Sequence, residues 1–385
     1  MSENSPESPS KKTTLLPYLW GLVGLVFLAN VFLLFPSGSP EDTDESSNTE
    51  VEQEDYDRVS FWHQFLNENQ TSSATEKFSL LDGLPIDPEY EESAVSVMID
   101  NFVTARPQQS GIRSASVVYE ALAEGGITRL MLVFPYQEID RVGPVRSARD
   151  YFVDFAEEYG GVYLHAGGSP LALEKLWASA SLLDLDEDER LEGETYSFRD
   201  SRYPAPHNLY FDLLAVKERA AQVDWDLTSP QQQWCFSSEE VVGTPVRKVV
   251  LNFANDPFSD SLAQFVYDLE QKHYKRFYGK TQPTPHTDQL DALQVSPKNI
   301  IVQVAPSELI NGDEKERLAF HHIGTGTAFF YRNGQKNRGS WTKLNASSRT
   351  AFLDENGEPI CLHPGQTWIA IVDDESLIEE ETASE

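Results

Sequence analysis

The feature that most constrains this chain is an uncharged run near its start, LLPYLWGLVGLVFLANVFLLF at positions 15–35. At about 1.5 Å per residue, a helix of this length crosses a hydrocarbon core of about 30 Å. Lys11 and Lys12 precede the run, and the first basic residue after it is Arg58. Because cytoplasmic flanks carry the excess of basic residues, we predict a single-pass transmembrane helix over 15–35 in the plasma membrane. Residues 1–14 form a cytoplasmic tail, and the rest of the chain lies outside.

A cleaved signal peptide is the alternative interpretation of the same run. Signal peptides normally have an apolar region of about 7–15 residues and a small-residue cleavage site, whereas this run is longer and is followed by Pro-Ser-Gly-Ser-Pro. No cysteine lies in or just after the run, so lipid attachment there is excluded. The pattern favours a retained helical anchor.

The two cysteines, Cys235 and Cys361, lie far along the chain. An oxidising exterior would permit a disulfide between them, and two unpaired core residues fit equally well.

The charge balance limits the partners of this chain. It has 62 Asp and Glu residues against 30 Lys and Arg, a net charge of −32. Nucleic acid is therefore excluded as a general partner, and an anionic ligand needs a local basic pocket. The stretch EDTDESSNTEVEQEDYD at positions 41–57 is too polar to bury a core. We predict that residues 36–84 form an acidic tether and linker.

The remaining chain is predicted to be α+β, with two domains that differ in their secondary structure. Short apolar runs at 95–99, 128–134 and 161–165 predict strands. Apolar residues at helical spacing predict one helix over 147–159, before the third of these strands, and another helix after His207. This alternation predicts an α/β domain over 85–235 with a partly parallel sheet. Beyond it, short aromatic and β-branched runs with Asn-Gly turns predict a mainly antiparallel β domain over 240–373, followed by a disordered acidic tail over 374–385.

Two turns of the first domain carry residues suited to binding an anion. The segment RVGPVRSARD places Arg146 and Arg149 at the start of a predicted helix, with Ser147 as its N-cap. Helix N-termini and guanidinium groups both favour phosphate or carboxylate. The segment YLHAGGSP places His165 at a strand end, before a glycine pair and a second N-cap. Ion pairing with neighbouring acids is the alternative role for the arginines, and a structural hydrogen bond is the alternative role for the histidine.

We predict that these residues and others converge on one basic cleft. The predicted ligand-binding residues are Arg129, Arg146, Ser147, Arg149, Gly167, Gly168, Ser169, Arg202 and Asn208. The candidates for proton transfer are His165, His207 and Glu124. The sequence contains no CxxC or HExxH spacing, so we predict neither a metal site nor a cofactor.

The succession of motifs resembles the bacterial YerB-like family, which is usually described as envelope lipoproteins of unknown function. The resemblance rests on VMIDNFVTARPQQSG, VVYEALAEGGITRLMLVF, RVGPVRSARDYFVDFA, YLHAGGSP, RYPAPHNLY, GTGTAFFYRNGQKNRGSWTKL and GEPICLHPGQTWIAIV, and it covers most of residues 85–373. It implies a two-domain extracytoplasmic architecture and no established activity. The chain departs from the lipoprotein pattern because its apolar run lacks an acylatable cysteine.

Two functions remain open. In the first, the basic pocket captures an anionic envelope ligand for binding or regulation, while the β domain contacts a glycan or an envelope protein through Trp341 and Trp368. In the second, the protein is a hydrolase or transferase acting on an anionic envelope substrate, such as a phosphodiester, a lipid-linked group or a peptidoglycan fragment. The first is favoured, because the sequence has no recognisable nucleophile–base pair.

Overall fold

A computed structural model describes residues 53–69, 76–90, 92–135, 139–189, 195–225, 234–256 and 261–382. The predicted cytoplasmic tail and the predicted transmembrane helix over 15–35 lie outside these ranges. Inside them, no helix combines the length and the apolar character that a membrane crossing requires.

The helices of the described ranges are α1 Gln53–Asn69, α2 Asp150–Glu157, α3 Pro170–Ala178 and α4 Leu213–Gln222. Helix α3 begins as predicted, because the hydroxyl of Ser169 accepts a hydrogen bond from the Ala172 N–H at 3.2 Å and a proline takes the first helical position.

The starts of α2 and α4 differ from the predictions. Ser147 is not an N-cap: the N-cap position of α2 belongs to Arg149, because residues before it run extended and bond to neighbouring strands. Helix α4 is capped by Asp212, whose carboxylate accepts from the N–H groups of Leu214 and Ala215. The helix predicted directly after His207 therefore begins only at Leu213, because the short strand Leu209–Phe211 comes first.

The strands make up most of the regular secondary structure of the described ranges. In the first half of the chain they are β1 Lys77–Phe78, β2 Pro85–Ile86, β3 Ala94–Ile99, β4 Val117–Leu122, β5 Thr128–Pro135, β6 Gly161–His165, β7 Leu182–Asp186, β8 Ser197–Arg199 and β9 Leu209–Phe211. In the second half they are β10 Cys235–Phe236, β11 Thr244–Asn252, β12 Leu262–Asp268, β13 His273–Tyr278, β14 Thr284–Pro285, β15 Asn299–Val304, β16 Ser307–Leu309, β17 Leu318–Phe320, β18 Gly324–Arg332, β19 Gln335–Lys343, β20 Ala351–Asp354, β21 Cys361–Leu362, β22 Thr367–Val372 and β23 Ile378–Thr382.

One large sheet passes through both halves, and the fold is mostly β with few helices. In the first half β4, β5 and β3 pair antiparallel, while β3, β6 and β7 pair parallel. Helix α3 connects β6 to β7, which is the crossover that two adjacent parallel strands require. Strand β22 of the second half lies between β15 and β4, parallel to both, and so joins the halves.

The second half is mainly antiparallel. Strands β15, β18, β19 and β20 form one antiparallel run, and β11, β12 and β13 form another. The first residues of β11 pair with β19, which connects the two runs.

The acidic tail is ordered as far as Thr382, so the prediction of disorder from 374 is wrong there. Strand β23 pairs antiparallel with β11. The carboxylates of Glu379, Glu380 and Glu381 contact the ammonium groups of Lys280, Lys336 and Lys248 at 2.6–2.7 Å. The acidic composition of this segment led to the prediction of disorder. Its cationic partners lie more than 40 residues away along the chain, where local composition does not reveal them.

The acidic linker is folded in part. Helix α1 begins at Gln53, inside the stretch that was predicted to be a tether, and Val59 is fully buried against Ala351 and Leu353 of the second half. The strands β1 and β2 also lie within the predicted linker.

Alternate residues of the central strands fill two apolar cores, one on each face of the sheet. Trp341 and Trp368 belong to these cores and are 1% and 0% exposed, so they cannot contact a glycan or a partner as predicted. Cys235 and Cys361 lie opposite each other in the parallel pair β10–β21 and form a disulfide.

Candidate functional site

The candidate site lies at one edge of the sheet. Strands β3 and β6 end at this edge with Ile99 and His165, and the antiparallel strand β5 begins there with Thr128. The extended segment 144–149 runs along the edge, because the N–H of Arg146 bonds to the carbonyl of Met98 at 3.1 Å and the N–H of Ala148 bonds to that of Gly167 at 2.9 Å. This arrangement brings distant parts of the chain together.

Three arginines surround the carboxylate of Glu124. The Nε of Arg149 donates a short hydrogen bond to its Oε1, the Nη2 of Arg129 lies 3.5 Å from its Oε2, and the Nε of Arg317 lies 3.9 Å from its Oε1. All four side chains are between 11% and 19% exposed, so the cluster is mostly desolvated. Arg317 was not among the predicted residues, because it comes from a loop of the second half that carries no recognisable motif.

The charges in this cluster perturb one another. Burial raises the pKa of Glu124, but the hydrogen bond from Arg149 and the charge of Arg129 outweigh burial and hold that pKa below its usual range. Burial lowers the pKa of Arg129 to about 10, and the charge of Arg149 adds to this effect. At neutral pH Glu124 is therefore a carboxylate and Arg129 a cation, which suits ion pairing better than proton transfer.

A second basic pair shares the carboxylate of Asp100, which follows β3. The Nε of Arg146 lies 3.0 Å from its Oδ2, and the Nδ1 of His207 lies 2.5 Å from the same oxygen. The His207 ring also stacks on Phe102, with centroids 5.5 Å apart and planes 8° from parallel. Asp100 was not predicted as a site residue, although its place directly after a buried strand is a usable signal.

Several polar groups of the two clusters remain available to a ligand. Among the described residues, neither terminal nitrogen of Arg146 makes a hydrogen bond, and the same holds for the Nε2 of His207 and the hydroxyl of Ser147. The side chain of Arg146 is 30% exposed. The backbone carbonyl of Ser147 accepts a hydrogen bond from the Nη1 of Arg129 at 2.6 Å, which ties the segment to the Glu124 cluster.

His165 lies at the same edge but is fully buried. Its Nδ1 is 2.9 Å from the carbonyl of Gly167, and its Nε2 is 2.6 Å from the Oδ1 of Asp184. Both partners are acceptors, so the ring is held with a proton on each nitrogen. Burial lowers the pKa of His165, but the hydrogen bond and the charge of Asp184 raise that pKa overall. A buried imidazolium with both nitrogens occupied is a structural cation.

The residues Gly167, Gly168 and Ser169 have structural roles at this edge and do not give a ligand access to the backbone. Gly167 has a φ of +61°, and a Cβ there would lie 2.5 Å from the Oδ2 of Asp188. A Cβ at Gly168 would lie 2.9 Å from Leu173. The positive φ favours glycine at position 167, whereas a larger residue at 168 would require the Leu173 side chain to shift. The hydroxyl of Ser169 is already engaged as the cap of α3.

Arg202 and Asn208 lie in a neighbouring loop and do not join these clusters. Arg202 is 69% exposed and pairs with the carboxylate of Asp200, with its Nη2 2.6 Å from Oδ2. Arg141 contacts the same carboxylate at 2.8 Å. The amide of Asn208 is buried and bonds to the carbonyls of Asp200 and Tyr203. Both residues shape the loop that presents His207.

A buried polar network lies directly behind Asp100. The Nη2 of Arg276 donates to both carboxylate oxygens of Glu120 at 2.8 Å, and neither side chain is more than 1% exposed. Trp368, Thr128 and further buried amides also bond into the network, which ties β4 and β5 to β13 and β22. Within the part of the chain that the structure describes, no group of His, Cys, Asp and Glu side chains could hold a metal ion.

Comparison with known proteins agrees with the motif resemblance. The N-terminal domain of the family described as "Protein of unknown function (DUF3048)" matches residues 81–226, and the C-terminal domain of the same family matches residues 252–369. A protein of Bacillus subtilis (strain 168) named "Putative lipoprotein YerB" is 30% identical over 285 residues, which are 74% of this chain and 82% of the relative. The crystal structure of YerB protein from Bacillus subtilis superposes with a TM-score of 0.69 at 28% identity, covering 80% of this chain and 100% of that chain.

Proposed function

Since the chain belongs to the two-domain YerB-like family of proteins of unknown function, we propose that it is a membrane-associated envelope protein that binds an anionic ligand. The ligand site is the edge formed by Arg129, Arg146 and Arg149, with His207 and the Ser147 hydroxyl beside it. The ligand carries a phosphate or carboxylate group, because guanidinium forks and hydroxyl donors recognise those groups.

The observation that carries this proposal is the excess of arginines in the Glu124 and Asp100 clusters. Four guanidinium groups lie against three carboxylates, those of Glu124, Asp100 and Asp313. The chain as a whole has the opposite balance, with a net charge of −32. Because the chain is so acidic, a cationic cluster is not expected from its surface composition, and this supports a functional role for the cluster.

The energetics of the cluster point the same way. Arg129 and Arg149 repel each other in a partly desolvated setting, and this repulsion contributes to the lowered pKa of Arg129. An anion placed against Arg146, beside Arg149, would offset that repulsion and would use the terminal nitrogens of Arg146, whose side chain is 30% exposed. Each charge-assisted hydrogen bond to such an anion contributes about 1.5–3 kcal/mol.

The location is part of the proposal. The disulfide between Cys235 and Cys361 supports an oxidising compartment outside the cytoplasm. The uncharged run over 15–35 supports a helical anchor. Fractionation of cells that produce the full chain tests this location: recovery with the membranes is expected, and recovery in the cytosol contradicts it.

Binding is favoured over turnover by the state of the candidate acids and bases. His165 is buried with both nitrogens occupied, and Glu124 is held as a carboxylate by arginines. In the described residues, no serine, threonine or cysteine side chain hydrogen-bonds to His165 or His207. A hydroxyl nucleophile is commonly activated by such a neighbouring base.

The proposal is tested by calorimetric titration of the full chain, held in phosphatidylcholine nanodiscs, with inorganic phosphate and with acetate. Saturable binding of at least one anion is expected. Arg146→Ala and Arg149→Ala should each weaken that binding by about 10- to 100-fold, which corresponds to one charge-assisted hydrogen bond.

The matched control is Arg338→Ala. Arg338 is 54% exposed and pairs with Glu375 at 2.8 Å in the second half, so its removal should leave anion binding unchanged. Equal losses in all three variants would mean a non-specific charge effect. The absence of binding by either anion would refute the proposed site.

A further inference from the structure

We infer that the bound anion carries an apolar body, and that this body occupies a cavity beside the arginine edge. The inference rests on the proposed function, because it identifies the class of ligand that the edge binds. The cavity has a volume of about 690 Å³. That volume falls within the range of about 300–1,000 Å³ that small-molecule sites normally have.

The two walls of the cavity come from different halves of the chain. One wall is the segment that follows β3, with Val103 and Pro107, and the other is the segment around β14, with Tyr278, Pro285 and Ala292. Val103 is 42% exposed although it is apolar, as is the neighbouring Phe102 at 37%. The cavity therefore offers apolar surface that the protein itself leaves in contact with water.

The charged and titratable groups that line the cavity are already engaged inside the protein. The Nδ1 of His286 accepts from Arg276 at 2.8 Å, and its Nε2 donates to Gln109 at 2.7 Å. The carboxylate of Asp288 accepts three backbone N–H groups at 2.8–3.1 Å. Polar groups that are committed in this way contribute little to binding a charged group, so the cavity suits the uncharged part of a ligand.

The guanidinium of Arg106 is committed as well. It stacks on the ring of Tyr278 at 3.9 Å from the ring centroid, and its Nε donates to the carbonyl of Asn101 at 3.1 Å. The ring of Tyr278 lines the cavity beside Arg106. An apolar chain packs well against an aromatic ring.

The segment 100–103 and the loop 200–208 connect the arginine edge to the cavity. Asp100, which holds Arg146 and His207, is three residues before Val103. The loop 200–208 reaches both places, because His207 contacts Asp100 and the hydroxyl of Tyr203 accepts a hydrogen bond from Gln289 of the cavity. A single ligand can therefore place its anion on the arginines and its apolar body in the cavity.

The ligand class that satisfies both subsites is an amphipathic anion, such as a phosphate monoester with an alkyl or isoprenoid chain. The phosphate group would contact Arg146, and the first carbons of the chain would pass Phe102 and Val103. A detached amphiphile and a lipid drawn from the bilayer share this chemistry.

The test is a chain-length series on the full chain in phosphatidylcholine nanodiscs. Inorganic phosphate, methyl phosphate, butyl phosphate and hexyl phosphate are titrated, with empty nanodiscs subtracted. Affinity is expected to rise with chain length, by up to about fourfold for each methylene group buried. Hexanol, which lacks the anion, should compete with hexyl phosphate and should not compete with inorganic phosphate.

Two variants fill the cavity from opposite walls, Val103→Trp and Thr284→Trp. Each should abolish the chain-length effect and keep the affinity for inorganic phosphate. The matched control is Val242→Trp, at a valine that is 88% exposed elsewhere, and it should behave like the unmodified chain.

The outcomes separate the two proposals. If inorganic phosphate binds and chain length has no effect, the cavity inference is overturned and the anion site stands. If no phosphate binds at any chain length, both are overturned. If hexyl phosphate binds more tightly with phosphatidylcholine than with a lipid-free amphipol, the ligand source is the bilayer; the reverse identifies a detached amphiphile.

Discussion

The sharpest prediction concerns the buried ion pair of Arg276 and Glu120, which joins the two halves of the fold. Both carboxylate oxygens of Glu120 accept from the Nη2 of Arg276 at 2.8 Å, with the side chains 1% and 0% exposed. Burial lowers the pKa of Arg276, but the charge of Glu120 raises that pKa overall, so the guanidinium is charged. Arg276→Met removes the cation and leaves a carboxylate in the interior.

The expected cost follows from what remains around Glu120. Thr128 donates at 2.9 Å and Trp368 at 3.1 Å, but these are neutral donors and do not balance a buried charge. Breaking a buried pair by removing one partner costs about 3–5 kcal/mol of the free energy of unfolding. The Nδ1 of His286 also loses its donor, so the upper part of this range is expected.

The assay is urea unfolding of the full chain, followed by tryptophan fluorescence and by circular dichroism. Arg276→Met should lower the free energy of unfolding by about 4 kcal/mol. The double variant Glu120→Gln, Arg276→Met should recover part of this loss, because no charge is then left buried. The control is Arg338→Met, whose exposed pair should contribute less than about 1 kcal/mol.

Two results would refute this reasoning. One is a loss below about 1 kcal/mol for Arg276→Met, which would mean that water or rearranged donors solvate Glu120. The other is a double variant no more stable than the single one, which would show that packing rather than charge dominates.

Two further predictions concern stability. Because the folded state raises the pKa of His165, its pairing with Asp184 stabilises fully below the ordinary histidine pKa of about 6.5, and this contribution is lost as pH rises through the raised value. Urea midpoints measured from pH 5.5 to 9 should show that loss, and Asp184→Asn should remove it; an unchanged pH profile in the variant would contradict the assignment. The disulfide between Cys235 and Cys361 spans 126 residues, so its reduction, or Cys235→Ser with Cys361→Ser, should lower the free energy of unfolding by about 2–5 kcal/mol. Equal unfolding midpoints with and without reductant would count against this role.

Local sequence was sufficient for the elements that depend on neighbours along the chain. The strands β3, β5 and β6 follow from short apolar runs, and the start of α3 follows from a serine cap before a proline. These features depend on contacts within about four residues, which a pattern can reveal. The anion-binding role of segment 146–149, predicted from guanidinium chemistry, stays a prediction.

The sequence misplaced elements whose partners lie far away. The acidic stretch 378–382 is a strand because β11 and three lysines meet it, and the two tryptophans predicted to face a partner are core residues because two sheet faces cover them. Neither fact has a local signature. Long-range pairing and burial override local composition in both cases.

The acidic charge, the motif order and the residue types of the proposed anion site could be identified from the sequence alone. Tertiary structure alone selected which residues act together: it brought Arg317 from the second half to Glu124, set His165 aside as a buried cation, and moved Arg202 to a separate ion pair. The physical reason is that ion pairing and desolvation act over a few ångströms in space, whatever the separation along the chain. A list of basic residues therefore predicts the chemistry of the proposed site. Which of these residues lie together depends on the packing at the sheet edge.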